Sequence, residues 1–175
     1  DNITGGNAGN TLYGHDGNDT FAGGNGVDIL NGGNGDDYFN NVGFGDTVAG
    51  GSGTDTLNFD LSTQTANMTI DLSTGEGAGG SWTGVEFIQG SLGTGDNTVK
   101  AGIQLANIYG NSGIDSLTLD YSGALADGRT VASLNFNQLQ TGYPEYVYLS
   151  DGSNLSLHIN SFDKFNITGT PGDDN

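Results

Sequence analysis

Aspartate recurs every nine residues through the first third of the chain, at Asp19, Asp28, Asp37, Asp46 and Asp55, with Asn10 in the preceding place and Asp1 in phase. Carboxylates do acid–base work when two of them, or one and a nucleophile, share a cavity. A strict repeat instead stacks them in columns, at about 4.8 Å if strands carry them, and a column of like charges needs something positive between its members. Lys and Arg cannot supply it, because the 175 residues hold only Lys100, Arg129 and Lys164. A bound cation is the economical answer. Sites of Asp carboxylates and turn carbonyls suit a hard ion, Ca²⁺ ahead of Mg²⁺, because the ligands are many and flexible.

The elements that must carry these columns follow from the glycines. From Gly5 the chain divides without a gap into GGNAGNTLY, GHDGNDTFA, GGNGVDILN, GGNGDDYFN, NVGFGDTVA and GGSGTDTLN. The Asp or Asn is sixth in each unit, and the eighth residue is apolar: Leu12, Phe21, Leu30, Phe39, Val48 and Leu57. Glycines at positions one, two and four admit φ > 0 and let neighbouring backbones approach closely. Positions seven to nine predict a short strand with position eight inward. A strand that short cannot bury its face alone, so coils must stack. Two units per coil place residues 18 apart on one edge. Asp1, Asp19, Asp37 and Asp55 then form one column, and Asn10, Asp28 and Asp46 the other.

These units resemble the GGxGxDxUx nonapeptides of RTX proteins, the hemolysin-type calcium-binding repeats. The resemblance covers Asp1 to Asn58, with six consecutive units in register. It implies an all-β, right-handed parallel β-roll, with Ca²⁺ between successive turns. The ligands it implies are the position-six side chains and turn carbonyls such as those of Gly24, Gly26, Gly33 and Gly35. It also implies export unfolded by a type I system and folding outside the cell. Two departures weaken the second column: Asn10 replaces Asp, and the fifth unit has lost its leading glycines.

After the 1–58 roll the pattern changes. Leu57, Phe59 and Leu61 alternate with polar residues, as do Met68, Ile70 and Leu72, which predicts longer half-buried strands in an extension over 59–91. Ser73 to Ser81 is Gly-rich and predicts a loop, and Trp82 to Gly90 a strand. A degenerate roll block over 92–118 reads LGTGDNTVK, AGIQLANIY and GNSGIDSLT, with Asn97, Ala106 and Asp115 at position six. A second strand-rich extension spans 119–168, and 169–175 starts another unit with Asp174 at position six. Gly53 to Asp60 matches Gly113 to Asp120 at an offset of 60, and SFDKFNITG resembles VEFIQGSLG, so the chain reads as an internal duplication. Asp1 and Asp174 share a phase, as expected of a module from a tandem array that meets neighbouring modules or copies of itself.

Composition narrows the function. Of 21 acidic residues 18 are Asp, and the net charge of −18 argues against nucleic acid or an anionic membrane as partner. No apolar run reaches the roughly 18 residues of a membrane span, so no direct membrane insertion is expected, and no signal peptide is visible. Cysteine is absent, which excludes disulfides and thiolate sites. His15 stands where a glycine is usual and reads as a surface substitution; His158 faces away from Leu155, Leu157 and Ile159. With no GxSxG and no Cys, a catalytic triad is not expected. Tyr143, Tyr146 and Tyr148 offer a sugar-binding patch, or a sheet face packed on a neighbour. The expectation is a non-enzymatic, calcium-binding structural module of a secreted or cell-surface bacterial protein, binding several ions. The alternatives are an accessory module of a secreted enzyme and an adhesin or carbohydrate-binding module.

Overall fold

The computed structural model describes residues 1–101, 105–120, 131–135, 145–149 and 154–168, with side chains for 1–101, 106–120, 161–164 and 166. The fold is an all-β solenoid of about six turns, with parallel sheets built from stacked coils. Among the described residues no helix is long and apolar enough to cross a membrane.

The repeat units give β1 (Asn2–Thr4), β2 (Thr11–Asp16), β3 (Thr20–Ala22), β4 (Ile29–Asn34), β5 (Tyr38–Val42), β6 (Thr47–Ser52) and β7 (Thr56–Asp60). Odd-numbered strands pair in parallel in one sheet and even-numbered strands in another, so two nonapeptides make one coil. Ile3, Phe21, Phe39 and Leu57 stand opposite one another in the first sheet, and Leu12, Leu30 and Val48 in the second. Phe21, Leu30, Phe39, Val48 and Leu57 are buried, and the Phe21 and Phe39 rings stack at 4.8 Å. Leu12, in the first coil, is only half-buried. This ladder of position-eight side chains is the core, and burying each contributes about 1.5–3 kcal/mol.

Beyond β7 the chain adds β8 (Thr69–Asp71), β9 (Glu76–Gly77), β10 (Gly80–Thr83) and β11 (Phe87–Ser91). Here two expectations need correction. The glycine-rich 73–81 segment is not a loop throughout: β9 pairs antiparallel with both β8 and β10 and fills the second sheet between them. Trp82 to Gly90 is not one strand either. β10 lies in the second sheet beside β6, the chain turns at Gly84 (φ 60°), and β11 lies in the first sheet beside β7.

The second block gives β12 (Thr98–Ala101), β13 (Leu105–Tyr109) and β14 (Ser116–Asp120). Val99 and Leu117 align with Ile70 as an inward column. The AGIQLANIY unit, however, is two residues out of phase. Ala106, not Ile108, stands opposite Ile88 and hence in the Leu57 column. Both Ala106 and Ile108 are buried, so an alternating apolar pair hid the slip.

The chain closes with β15 (Val131–Asn135), β16 (Glu145–Leu149), β17 (Asn154–Asn160) and β18 (Lys164–Thr168). β17 pairs with β13, and β16 and β15 extend the first sheet antiparallel. The duplication is visible as topology: β7 leaves on an excursion and returns as its parallel neighbour β11, and β14 does the same with β18. The two copies sit on opposite sheets. Tyr143, Asp174 and the 169–175 segment lie outside the described residues, as do the side chains of Tyr146, Tyr148 and His158.

Candidate metal centre

The position-six side chains precede each short strand by one residue, which places them at the turn where one coil meets the next. Each reaches back one coil. Asp37 Oδ1 accepts the Asp19 backbone N–H at 2.8 Å and Asp55 Oδ1 that of Asp37 at 2.8 Å; the Asp1 amine meets Asp19 Oδ1 at 2.5 Å. In the second column Asp28 Oδ1 accepts from Asn10 at 2.8 Å and Asp46 Oδ1 from Asp28 at 2.9 Å. In the degenerate block Asp115 Oδ1 accepts from Asn97 at 2.8 Å. Asp1 is exposed and Asn10 half-buried, whereas Asp19, Asp28, Asp37, Asp46, Asp55 and Asp115 are at most 3% exposed.

The second oxygen of these carboxylates decides what the site can do. Oδ2 of Asp19, Asp28, Asp37, Asp55 and Asp115 is buried and has no hydrogen-bond partner. An unpaired buried polar atom costs about 1–3 kcal/mol, and more when charged. Asp46 differs, because its Oδ2 accepts the Gly43 N–H at 2.7 Å. The first column therefore holds three unpaired oxygens and the second only one.

Glycine at position one makes room for them. A Cβ on Gly14 would collide with Asp19 Oδ2 and the Gly32 carbonyl, and one on Gly32 with Asp37 Oδ2 and the Gly50 carbonyl. Positive φ, expected at positions one, two and four, occurs at Gly24, Gly26, Gly33 and Gly35 (99°, 108°, 112° and 127°) but not at Gly14, Gly23 or Gly32. Position one is glycine for close approach, and positions two and four for the left-handed turn. His15 meets the second requirement without glycine, at φ 75°, with an exposed ring stacked on Tyr13.

Among the described residues no three acidic or imidazole side chains converge. A cation here would take one or two carboxylate oxygens and complete its shell with turn carbonyls. That donor set is all oxygen, and it suits Ca²⁺. The residues fit the ion on chemistry: buried, unpaired carboxylate oxygens beside glycine turns, with no Lys or Arg partner among the described residues.

Two acids of these ladders were not singled out in the sequence. Glu86 Oε2 accepts the Asp55 N–H at 2.8 Å, and Asp163 Oδ2 accepts the Asp115 N–H at 2.9 Å. Each lies two residues before the strand residue that pairs with the inward column, Ile88 and Phe165. That spacing was the available signal, masked because the two leading glycines of the unit are gone at both places. A parallel outer ladder was also missed. Asn18 Oδ1 accepts the Asp36 N–H at 2.9 Å, Asp36 Oδ1 the Thr54 N–H at 2.8 Å, and Asp96 Oδ1 the Ile114 N–H at 2.8 Å. It accounts for the Asn or Asp at position five in three units, Asn18, Asp36 and Asp96.

Burial pushes the carboxyls of Asp37, Asp46, Asp55 and Asp115 above the usual carboxylate range, against the pull of the backbone N–H each accepts. A group whose pKa is raised on folding binds protons more tightly in the folded state, so its contribution is present at low pH and lost as pH rises through the folded pKa. In chelator the chain should therefore gain β-structure, seen by circular dichroism, as pH falls from 7 toward the ordinary Asp pKa of about 3.9. In calcium the sign reverses, because the metal favours the ionised form. Equal pH slopes in both conditions would contradict this assignment.

No protein-family model matches the chain, and no curated protein matches it. The class of protein rests on the fold: a parallel β-solenoid compatible with a β-roll.

Proposed function

We propose that the chain is a calcium-binding, non-enzymatic structural module of the RTX β-roll kind, from a secreted or cell-surface bacterial protein. The observation that carries this reading is the set of buried carboxylates with one unpaired oxygen each, repeated in register along the coils. Ion-coupled folding is the mechanism. Each carboxylate already bonds one coil to the next through Oδ1, and a cation on Oδ2 neutralises the charge that opposes stacking. The resemblance to RTX proteins adds export unfolded through a type I system and folding outside the cell, where calcium is available. Neighbouring modules or copies of the chain are the partners, since a solenoid propagates by adding coils.

Isothermal titration calorimetry of the chelator-treated chain tests the reading. Binding of several Ca²⁺ ions is expected, with affinities of about 10⁻⁴–10⁻³ M and little heat from Mg²⁺ at the same concentrations. A flat calcium titration would refute it.

A further inference from the structure

We propose that three coil joints carry a substitute for the cation in their own covalent structure, so that they close without metal. The substitutes are the side-chain amides of Asn10 and Asn97 and the backbone N–H of Gly43. This inference rests on the calcium reading above, and it divides the ladder into metal-dependent and metal-independent joints.

The two asparagines make the same pair of bonds in separate parts of the solenoid. Asn97 Nδ2 donates to the Gly95 carbonyl at 2.7 Å and to Asp115 Oδ1 at 3.0 Å. Asn10 Nδ2 donates to the Ala8 carbonyl and to Asp28 Oδ1, the latter at 3.1 Å. In both cases the first acceptor is the position-four carbonyl of the same unit and the second is the next acid in the column. The Asn97 amide is also oriented independently, because its Oδ1 accepts the Met68 N–H at 3.1 Å.

The amide nitrogen occupies the place of the unpaired carboxylate oxygen. A Cβ on Gly5 would stand 3.0 Å from Asn10 Nδ2, and a Cβ on Gly23 would stand 2.6 Å from Asp28 Oδ2. Asparagine and aspartate have the same shape, so exchanging one for the other turns a donor into an acceptor. With asparagine the donor bridges a turn carbonyl to the next carboxylate. With aspartate an oxygen is aimed where that donor stood, and a positive ion must do the bridging. Asp46 reaches the same end by a third route. Its unit has lost the leading glycines, and the Gly43 N–H that the altered turn presents takes up Asp46 Oδ2. From Asn10 to Asp55, and again at Asn97 and Asp115, each position-six side chain thus either has a built-in donor at this atom or is one of the five buried carboxylates with an unpaired Oδ2. The departures from the repeat are then functional, setting how many joints respond to metal.

The test exchanges the atoms in both directions. Asp37→Asn should bind one Ca²⁺ fewer by equilibrium dialysis. In chelator, with trimethylamine N-oxide titrated to drive folding, it should form β-structure at a lower osmolyte concentration than the wild-type chain. Asn97→Asp should bind one ion more and need a higher osmolyte concentration. Asp37→Ala, which supplies no donor and leaves the Asp19 N–H unpaired, should fold less readily than Asp37→Asn in chelator. Asp37→Asn and Asp37→Ala requiring the same osmolyte concentration would overturn the proposal, as would an Asn97→Asp chain with wild-type calcium capacity and wild-type folding. A wild-type chain that binds no calcium would overturn the reading beneath it, while the osmolyte ordering would still decide whether the amide closes the joint.

Discussion

In excess chelator at pH 7 the chain should lose most of its far-UV β-signal, and millimolar Ca²⁺ should restore it where Mg²⁺ does not. The expected effect is large because the unpaired oxygens repeat along the ladder. A site with Kd of about 10⁻⁴ M in about 10⁻² M calcium stabilises the folded chain by roughly 2.7 kcal/mol. Five such carboxylates lie in the described ladder. Five such sites together are comparable to the net stability of about 5–15 kcal/mol of an ordinary domain. Without the ion each buried carboxylate must stay protonated or carry an unsolvated charge, in a chain whose net charge is already −18. A cooperative thermal transition unchanged by chelator would contradict the coupling.

Asp37→Ala should cost more in calcium than Asn10→Ala, by at least about 1 kcal/mol. Asp37 sits inside the ladder, 2% exposed, with Asp19 on one side and Asp55 on the other. Its removal strands the Asp19 N–H, which costs about 1–3 kcal/mol, and takes away a ligand oxygen as well. Asn10 is half-buried, and when its side chain goes, its backbone N–H still donates to Asp28 Oδ1 at 2.8 Å. Chemical denaturation of both variants at saturating calcium reads the difference. Equal losses would mean that the two columns are not distinct in the way the hydrogen bonds indicate.

The roll itself was legible because two periodicities agree in it: glycines with acids at nine, and an inward apolar residue two places after each acid. Phe21, Leu30, Phe39, Val48 and Leu57 fell where that spacing puts them. The excursions were harder for a physical reason. Trp82 and Ile88 both follow strand-like patterns, but the sharp turn at Gly84 carries the chain from one sheet to the other, and nothing in an alternating pattern marks such a crossing. The Ala106 slip has a similar origin, since a strand buried at both Ala106 and Ile108 supports either phase. At the candidate site the column membership of Asp19, Asp28, Asp37, Asp46 and Asp55 was readable from spacing alone. The distinction between Asp28 and Asp46 was not, because it depends on one backbone N–H from Gly43 in an altered turn. Glu86 and Asp163 were hidden because the chain reaches them after long excursions, 31 and 48 residues from the acids whose N–H groups they accept.

The most direct measurement is a crystal structure grown in calcium, with anomalous scattering used to identify the ion. Peaks are expected about 2.3–2.6 Å from Oδ2 of Asp19, Asp28, Asp37, Asp55 and Asp115, each completed by turn carbonyls, and none at Asp46 Oδ2 or at the side-chain amides of Asn10 and Asn97. Protein donors or ordinary water on all five of those oxygens, with no anomalous signal at any of them, would contradict the account.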